Sequence, residues 1–406
     1  MGAFAAKGRG TASPSRRGLL KGLGAAALVS APGMAWAQQA LLSDVSGPAR
    51  ALMDRAVVID MLGPLSLDFT SDAFRDALTP EEVEEFRTSG VTAFHNSYGV
   101  GGPDAHQSVL QYMAAWNGFV ARNAGLFTLV DRAEDIQAAK DAGKIAVIMG
   151  VQNSSHFRTA DDVELFYDLG QRVSQLTYNS QNRLGSGSTD RVDGGVSDFG
   201  ASIIAKMNEI GMLVDVSHCG DQTTLDAIEI SERPIAITHS NCRALNDHPR
   251  LKTDEAIRKL AAKGGVMGIT GVRNFVRGEE PTTVEHIVDH IDHVAQLTGI
   301  EHVGVGTDTD LNGYDDMSPE MNKMLRASYK GSYAFRDKLD TDGFDDPAKF
   351  YHLTEALLRR GYGDDDVLLI MGGNFQRLLT EIWSDHDAYL EKKAAKEAEK
   401  ASGDGE

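Results

Sequence analysis

The chain predicts an α/β fold, a (β/α)8 TIM barrel, from three observations. Eight short apolar runs recur along it, most of them rich in Val and Ile. They are continuous rather than alternating, as strands buried on both faces of a parallel sheet are. Helical patterns lie between the runs, and no Gly/Ser-rich linker or internal repeat divides the chain. Eight strand–helix units on one core suit closure into a barrel, although a doubly wound open sheet shares the same alternation.

The runs are Ala56–Asp60, Val91–His95, Ile145–Val151, Val173–Tyr178, Met212–Val216, Pro234–His239, Gly265–Thr270 and His302–Thr307. Between them, Pro80–Arg87 is acidic at its start, which suits a helix N-terminus. Asp198–Ile210 and Thr253–Lys263 are amphipathic. Thr283–Leu297 sets Ile287, Ile291, Val294 and Leu297 at helical spacing. Asp310–Pro347 is the least regular stretch and reads as a long loop or lid over the barrel mouth. Ala388–Lys400 reads as a charged surface helix, with 401–406 frayed.

The first 37 residues read as an address. Ser15-Arg16-Arg17-Gly18-Leu19-Leu20-Lys21 resembles a twin-arginine export signal, followed by an apolar run and then Ala35-Trp36-Ala37 as a cleavage site. The apolar run is too short to span a bilayer, and no later stretch is long and apolar enough. The domain plan is therefore 1–37 signal, 38–390 barrel and 391–406 charged tail, with a periplasmic or secreted location. Loss of Lys7, Arg9, Arg16, Arg17 and Lys21 with the signal takes the net charge from −19 to −24. Such an acidic chain repels phosphate, which excludes nucleic acid as a partner. Two cysteines, Cys219 and Cys242, cannot provide a disulfide framework.

In a barrel, chemistry sits where strands end. The predicted strands end in Asp60, Gln152, Tyr178-Asn179, Asp215-Val216-Ser217-His218, Thr238-His239 and Thr307-Asp308. Two His and an Asp in one layer suit a divalent metal such as zinc. Asp215 reads either as an orienting group behind a ligand or as a strand Asp paired with an Arg. Cys219 and Cys242 read as packing. His286, His290 and His293 share a predicted outer helix and read as a solvated face. His95 and His156 lie where either could stand in for a missing ligand.

The residues here reach a family. Gly211–His218, Thr238–Leu245, His248-Pro249-Arg250, Gly264–Gly268, Gly304–Asp308 and Gly372–Phe375, in that order, resemble the renal or membrane dipeptidase family. The resemblance runs from about residue 55 to 382. It implies a metal-dependent amidohydrolase barrel with two zinc ions that hydrolyses dipeptides. Carried over by position, His218 and His239 resemble the two His ligands of one zinc. Asp308 resembles the Asp that binds the other zinc and handles the proton. Arg250 resembles the residue that grips a substrate carboxylate.

The chain departs from that pattern at three places. The family's first strand ends in Asp-Gly-His-x-Asp, but here the segment reads Asp60-Met61-Leu62-Gly63-Pro64. The bridging Glu is Gln152, and the His after strand four is Tyr178. A neutral Gln bridges two cations poorly, so the expectation is one ion, Zn2+ by ligand type, held by His218, His239 and Gln152. Asp308 would accept a proton and Tyr178 would donate to an oxyanion. The expected substrate is a small molecule with a carboxylate, a dipeptide or a small N-acylated amino acid, and a homodimer is the expected assembly if the chain pairs. Two alternatives share the fold: a non-catalytic periplasmic binding protein, and a lactone hydrolase or lyase.

Overall fold

The computed structural model describes residues 41–63, 77–314 and 317–403. The export signal, Pro64 and the last three residues lie outside the described residues. From Asp44 onward the chain packs as one compact unit.

Among the described residues nine parallel strands form the sheet: β1 (Ile59–Asp60), β2 (Ala93–Tyr98), β3 (Phe127–Leu129), β4 (Ile145–Val151), β5 (Gln171–Gln175), β6 (Leu213–Asp215), β7 (Ala236–Ser240), β8 (Val266–Ile269) and β9 (Val303–Val305). β1 pairs with both β2 and β9, and the whole of β2 pairs with Ala146–Val151 of β4, so eight strands close into a barrel. The ninth, β3, was not expected. It pairs with the first half of β4 on the edge that β5 takes over further along. At three residues, Phe127-Thr128-Leu129 is too short to stand out as an apolar run.

Side chains alternate between two cores. Ile59, Ala93, Ala146, Ile148, Val173, Leu213, Ala236 and Val266 share one buried cluster, which the helix Asn374–Trp383 joins through Phe375 and Leu378. Intervening residues such as Phe94, Val147, Val214 and Ile237 belong to a larger cluster with residues of the surrounding helices. Strand runs buried on both faces read as continuous apolar sequence for this reason.

The helix Asp198–Ile210 spans the bounds its pattern predicts. Ser197 caps it by accepting from Gly200 N, and Gly211 ends it at φ +88°, where glycine is favoured. Pro80–Thr88 opens on a capping box between Thr79 and Glu82. Val284–Thr298 places His290 in the core rather than in solvent: its Nδ1 accepts from Cys242 N and its Nε2 donates to Val276 O. Cys219 and Cys242 are buried, free thiols. The stretch expected as an irregular loop contains a helix, Pro319–Ala327, capped by Ser318. The final helix, Asp385–Gly403, runs on past residue 390. Among the described residues no helix is long and apolar enough to cross a membrane.

Candidate active site

The C-terminal ends of the strands surround a cavity of about 330 Å³. Leu62, Gln152, Tyr178 and Asp308, from four different strand ends, all line it. His218 and His239 stand beside it: the ring of Tyr178 stacks on His218 with centroids 4.2 Å apart.

The two histidines face one another. His218 Nε2 and His239 Nε2 are 3.0 Å apart and both side chains are buried. The other nitrogen of each ring has a fixed partner. His218 Nδ1 donates to Asn179 Oδ1 at 2.7 Å. His239 Nδ1 donates to Thr238 Oγ1 at 2.7 Å, whose own proton goes to Asp215 Oδ2 at 2.7 Å. With both ring protons held at Nδ1, both Nε2 atoms present lone pairs to the same point. Burial and the nearby Arg250 guanidinium hold both imidazoles well below the usual histidine range, so neither supplies a proton to that gap. Two nitrogens sharing one tetrahedral zinc at about 2.0–2.1 Å stand about 3.3 Å apart. The pair therefore fits one such ion. Asp215 fixes the local frame, since its Oδ1 also accepts from Ser217 N, Ser217 Oγ and Thr238 N. The orienting reading of Asp215 describes its contacts, and among the described residues no Arg pairs with it.

β7 carries His239 through a crowded part of the barrel. A Cβ at Gly268 in β8 or at Gly306 just after β9 would lie 2.0 Å from Thr238 O, so both positions need glycine.

Asp308 follows β9 in a left-handed conformation, φ 57°, with its N–H donating to Leu62 O at 2.7 Å. Asn179 takes the same φ at the end of the β5 segment. Asp and Asn tolerate this region better than other side chains, and such strain concentrates at functional sites. Burial raises the Asp308 carboxyl to about 7, against the opposing pull of Arg250. Tyr178 is pushed far above the ordinary phenol range, first by burial, and keeps its proton. Its hydroxyl lies 2.6 Å from that of Tyr329.

Arg250 is fully buried and does not line the cavity. Its terminal nitrogens donate to Ser217 O and to His239 O, bracing the two histidine-bearing segments. Asp60 takes three hydrogen bonds, from Thr307 N, Thr307 Oγ1 and Leu62 N, and so fastens β1 to β9. His156 has both nitrogens occupied, by Asn153 O and Gln171 Oε1. His95 differs: Nδ1 donates to Met61 O at 2.7 Å, while its buried Nε2 has no partner among the described residues. Asn179 and Thr238, which set the two tautomers, gave no sequence signal beyond adjacency to a strand end, and Tyr329, just after the helix Pro319–Ala327, gave none. Among the described residues, no group of three or more His, Cys, Asp or Glu gathers as a metal cluster.

Comparison with known proteins gives the family. Residues 49–328 match the membrane dipeptidase family, Peptidase family M19. The dipeptidase verJ of Clonostachys rogersoniana is 30% identical over 319 residues, covering 74% of this chain and 75% of its own. The crystal structure of an amidohydrolase from Pseudomonas aeruginosa is 30% identical with a TM-score of 0.72, covering 83% of this chain and 99% of that one. A metallo peptidase from Rhodobacter sphaeroides, solved with a phosphinate mimic of the dipeptide L-Ala-D-Ala, shares the fold at 18% identity and a TM-score of 0.66, over 81% of this chain and 99% of its own. The chain belongs to the membrane dipeptidase family and is a hydrolase of that type.

Proposed function

We propose that this protein is an exported amide hydrolase acting on a dipeptide or a small N-acylated amino acid, with a single divalent ion, zinc by ligand type. The observation that carries the reading is the convergence of His218 Nε2 and His239 Nε2 on one point, each ring locked by its Nδ1 proton. Gln152 is the neutral oxygen donor on the cavity wall suited to complete the set. The first strand supports one ion rather than two, because Asp60 is committed to Thr307 and Leu62 presents only hydrocarbon. Such an ion supplies Lewis-acid activation of the carbonyl and of water.

The chain's own groups do the rest. Asp308, titrating near 7, takes a proton from the attacking water and returns it to the departing nitrogen. Tyr178 O–H donates to the carbonyl oxygen as negative charge grows there, with Tyr329 holding the phenol in place. Arg250 keeps the two histidine segments together. Gripping a substrate carboxylate as well would require one of its terminal nitrogens to leave a backbone carbonyl.

Elemental analysis of protein purified without chelator or added zinc tests the reading. The expected result is about one ion per chain, falling to near zero in His218→Ala and in His239→Ala. Full occupancy in either variant would remove the pair from the metal site.

A further inference from the structure

We infer that the preferred substrate is uncharged and apolar on its acyl side: an amino acid acylated by a hydrocarbon chain, rather than a free dipeptide. The inference rests on the hydrolase reading above and names its substrate class. In the reaction, water's oxygen bonds to the acyl carbon as the carbon–nitrogen bond breaks. The acyl group leaves as a carboxylate, and the nitrogen takes the remaining protons to become the amino acid's ammonium group.

The charge on the cavity wall is the first ground. Among the described residues lining it, Asp308 carries the only formal charge. A free dipeptide brings an α-ammonium group on its acyl side. That cation would have to pair with Asp308, the group needed to accept a proton, or be met by neutral acceptors with no opposite charge, at a cost. An acyl chain brings no such charge.

The roof of the cavity is the second ground. Pro319–Ala327 is an amphipathic helix with no buried residue. Met321, Met324 and Leu325 from it, with Met317 just before it, line the cavity instead of packing into the core. Met324 is 64% exposed. A helix of nine residues has little stability of its own, and an apolar stripe left this open gains from an apolar occupant. Methionine suits a chain of variable shape, because its side chain is unbranched and polarizable. Tyr329 and Phe335 extend the same wall.

The floor supplies the third. Ser97 Oγ and Gln152 Oε1 are buried and have no partner among the described residues, and both residues line the cavity. Behind them lie two more unpartnered atoms, His95 Nε2 and Gln175 Oε1. These side chains adjoin: Gln152 Nε2 reaches Ser97 O at 3.5 Å, and Gln175 Nε2 donates to Gln152 O at 2.6 Å and to Thr177 O at 2.8 Å. His95 lies over Gly150, where a Cβ would meet its Nε2 at 1.8 Å. The Gln175 amide is oriented by those two carbonyls, so its oxygen is the free atom, and His95 keeps its proton on Nδ1. With Gln152 Oε1 given to the ion, Ser97 Oγ is the neutral acceptor left on the cavity floor, with no carboxylate beside it. It suits a neutral N–H, such as that of an amide, better than an ammonium ion.

The test uses metal-loaded full-length protein and four substrates: N-acetyl-, N-hexanoyl- and N-decanoyl-alanine, and the free dipeptide Ala-Ala. kcat/KM is measured for each, and binding of the same compounds to Asp308→Asn is followed by calorimetry. The expected result is tighter binding and higher kcat/KM with chain length, by about fourfold per methylene until the cavity is filled, with Ala-Ala poorest. Met321→Gln combined with Met324→Gln should flatten that slope. Cleavage of Ala-Ala as efficient as that of the decanoyl compound, with no dependence on chain length, overturns the inference and leaves the hydrolase reading standing. Chain-length-dependent binding with no hydrolysis of any compound supports the apolar site and sinks the hydrolase reading. Absence of both binding and hydrolysis overturns the inference.

Discussion

Asp215→Asn tests whether a proton relay keeps the histidine pair ready for a metal. In the wild type, Asp215 Oδ1 takes three hydrogen bonds and Oδ2 takes the Thr238 hydroxyl. Three donors at Oδ1 will draw the amide oxygen of Asn to that position, which leaves its NH2 facing Thr238 Oγ1. That NH2 can only donate. Thr238 must then turn its own proton towards His239 Nδ1, and the ring proton moves to Nε2, into the 3.0 Å gap facing His218. One of the two converging lone pairs is lost. Orienting groups of this kind are worth about 10–100-fold in metal affinity, or about 1.4–2.8 kcal/mol. The hydrogen-bond count stays the same, and only their charge-assisted character goes. The stability loss is therefore about 1–2 kcal/mol, a Tm decrease of a few degrees. Competition with a chelator of known affinity measures the first quantity, thermal melting of apoprotein the second, and imidazole nitrogen chemical shifts the tautomer. A folded Asp215→Asn protein with wild-type metal affinity would refute the relay. So would His239 keeping its Nδ1 proton in the variant.

Three further outcomes are expected. kcat/KM falls as pH drops through about 7, because the protonated Asp308 carboxyl cannot accept a proton, and Asp308→Asn loses about 10²–10⁴-fold; a flat profile between pH 5 and 8 would assign the proton elsewhere. Gly150→Ala forces a Cβ against His95 Nε2 and destabilises by about 1–3 kcal/mol in thermal melts, and His95→Ala in the same chain restores most of it; equal melting of single and double variants would mean the crowding is relieved another way. A reporter carrying residues 1–45 reaches the periplasm, and Arg16→Lys with Arg17→Lys stops it; export that survives the double change would exclude the twin-arginine route.

The barrel was legible because strands buried on both faces leave continuous apolar runs, and seven of the nine strands overlap those runs over most of their length. β3 escaped since three residues carry too little pattern, and β2 runs on past its apolar run through Asn96, Ser97 and Tyr98. The site was half legible. His218, His239, Asp308, Gln152 and Tyr178 could be placed by their positions at strand ends. Their tautomers could not, because Thr238 and Asn179 act only through three-dimensional contact. Arg250 shows the limit of transfer by position: nothing in His248-Pro249-Arg250 says that its guanidinium faces two backbone carbonyls. The Met-rich roof was hidden for another reason. Pro319–Ala327 buries nothing, so its apolar residues look like an irregular surface stretch rather than a wall.

What the chain keeps and what it has changed separates by mechanical role. Asp60 remains at the end of β1 although the resemblance gives its partners there as metal ligands. Its three hydrogen bonds to Thr307 and Leu62 close the barrel between the first and last strands, and that demand is independent of any ion. Asp215 remains because it organises Ser217 and Thr238. The changed positions, Leu62, Gln152 and Tyr178, all line the cavity, and of their side chains Gln152 alone reaches a backbone group, Ser97 O at 3.5 Å. They replace a His, a Glu and a His of the family pattern with a hydrocarbon, an amide and a phenol. Each exchange lowers the charge or the metal affinity of the cavity wall and leaves the frame untouched. A site emptied of charge in this way retains one proton acceptor, Asp308, and one pair of aligned imidazoles. Those are the parts that the proposed single-ion amide hydrolase needs, and the remaining surface of the cavity is the part on which the proposed apolar substrate rests.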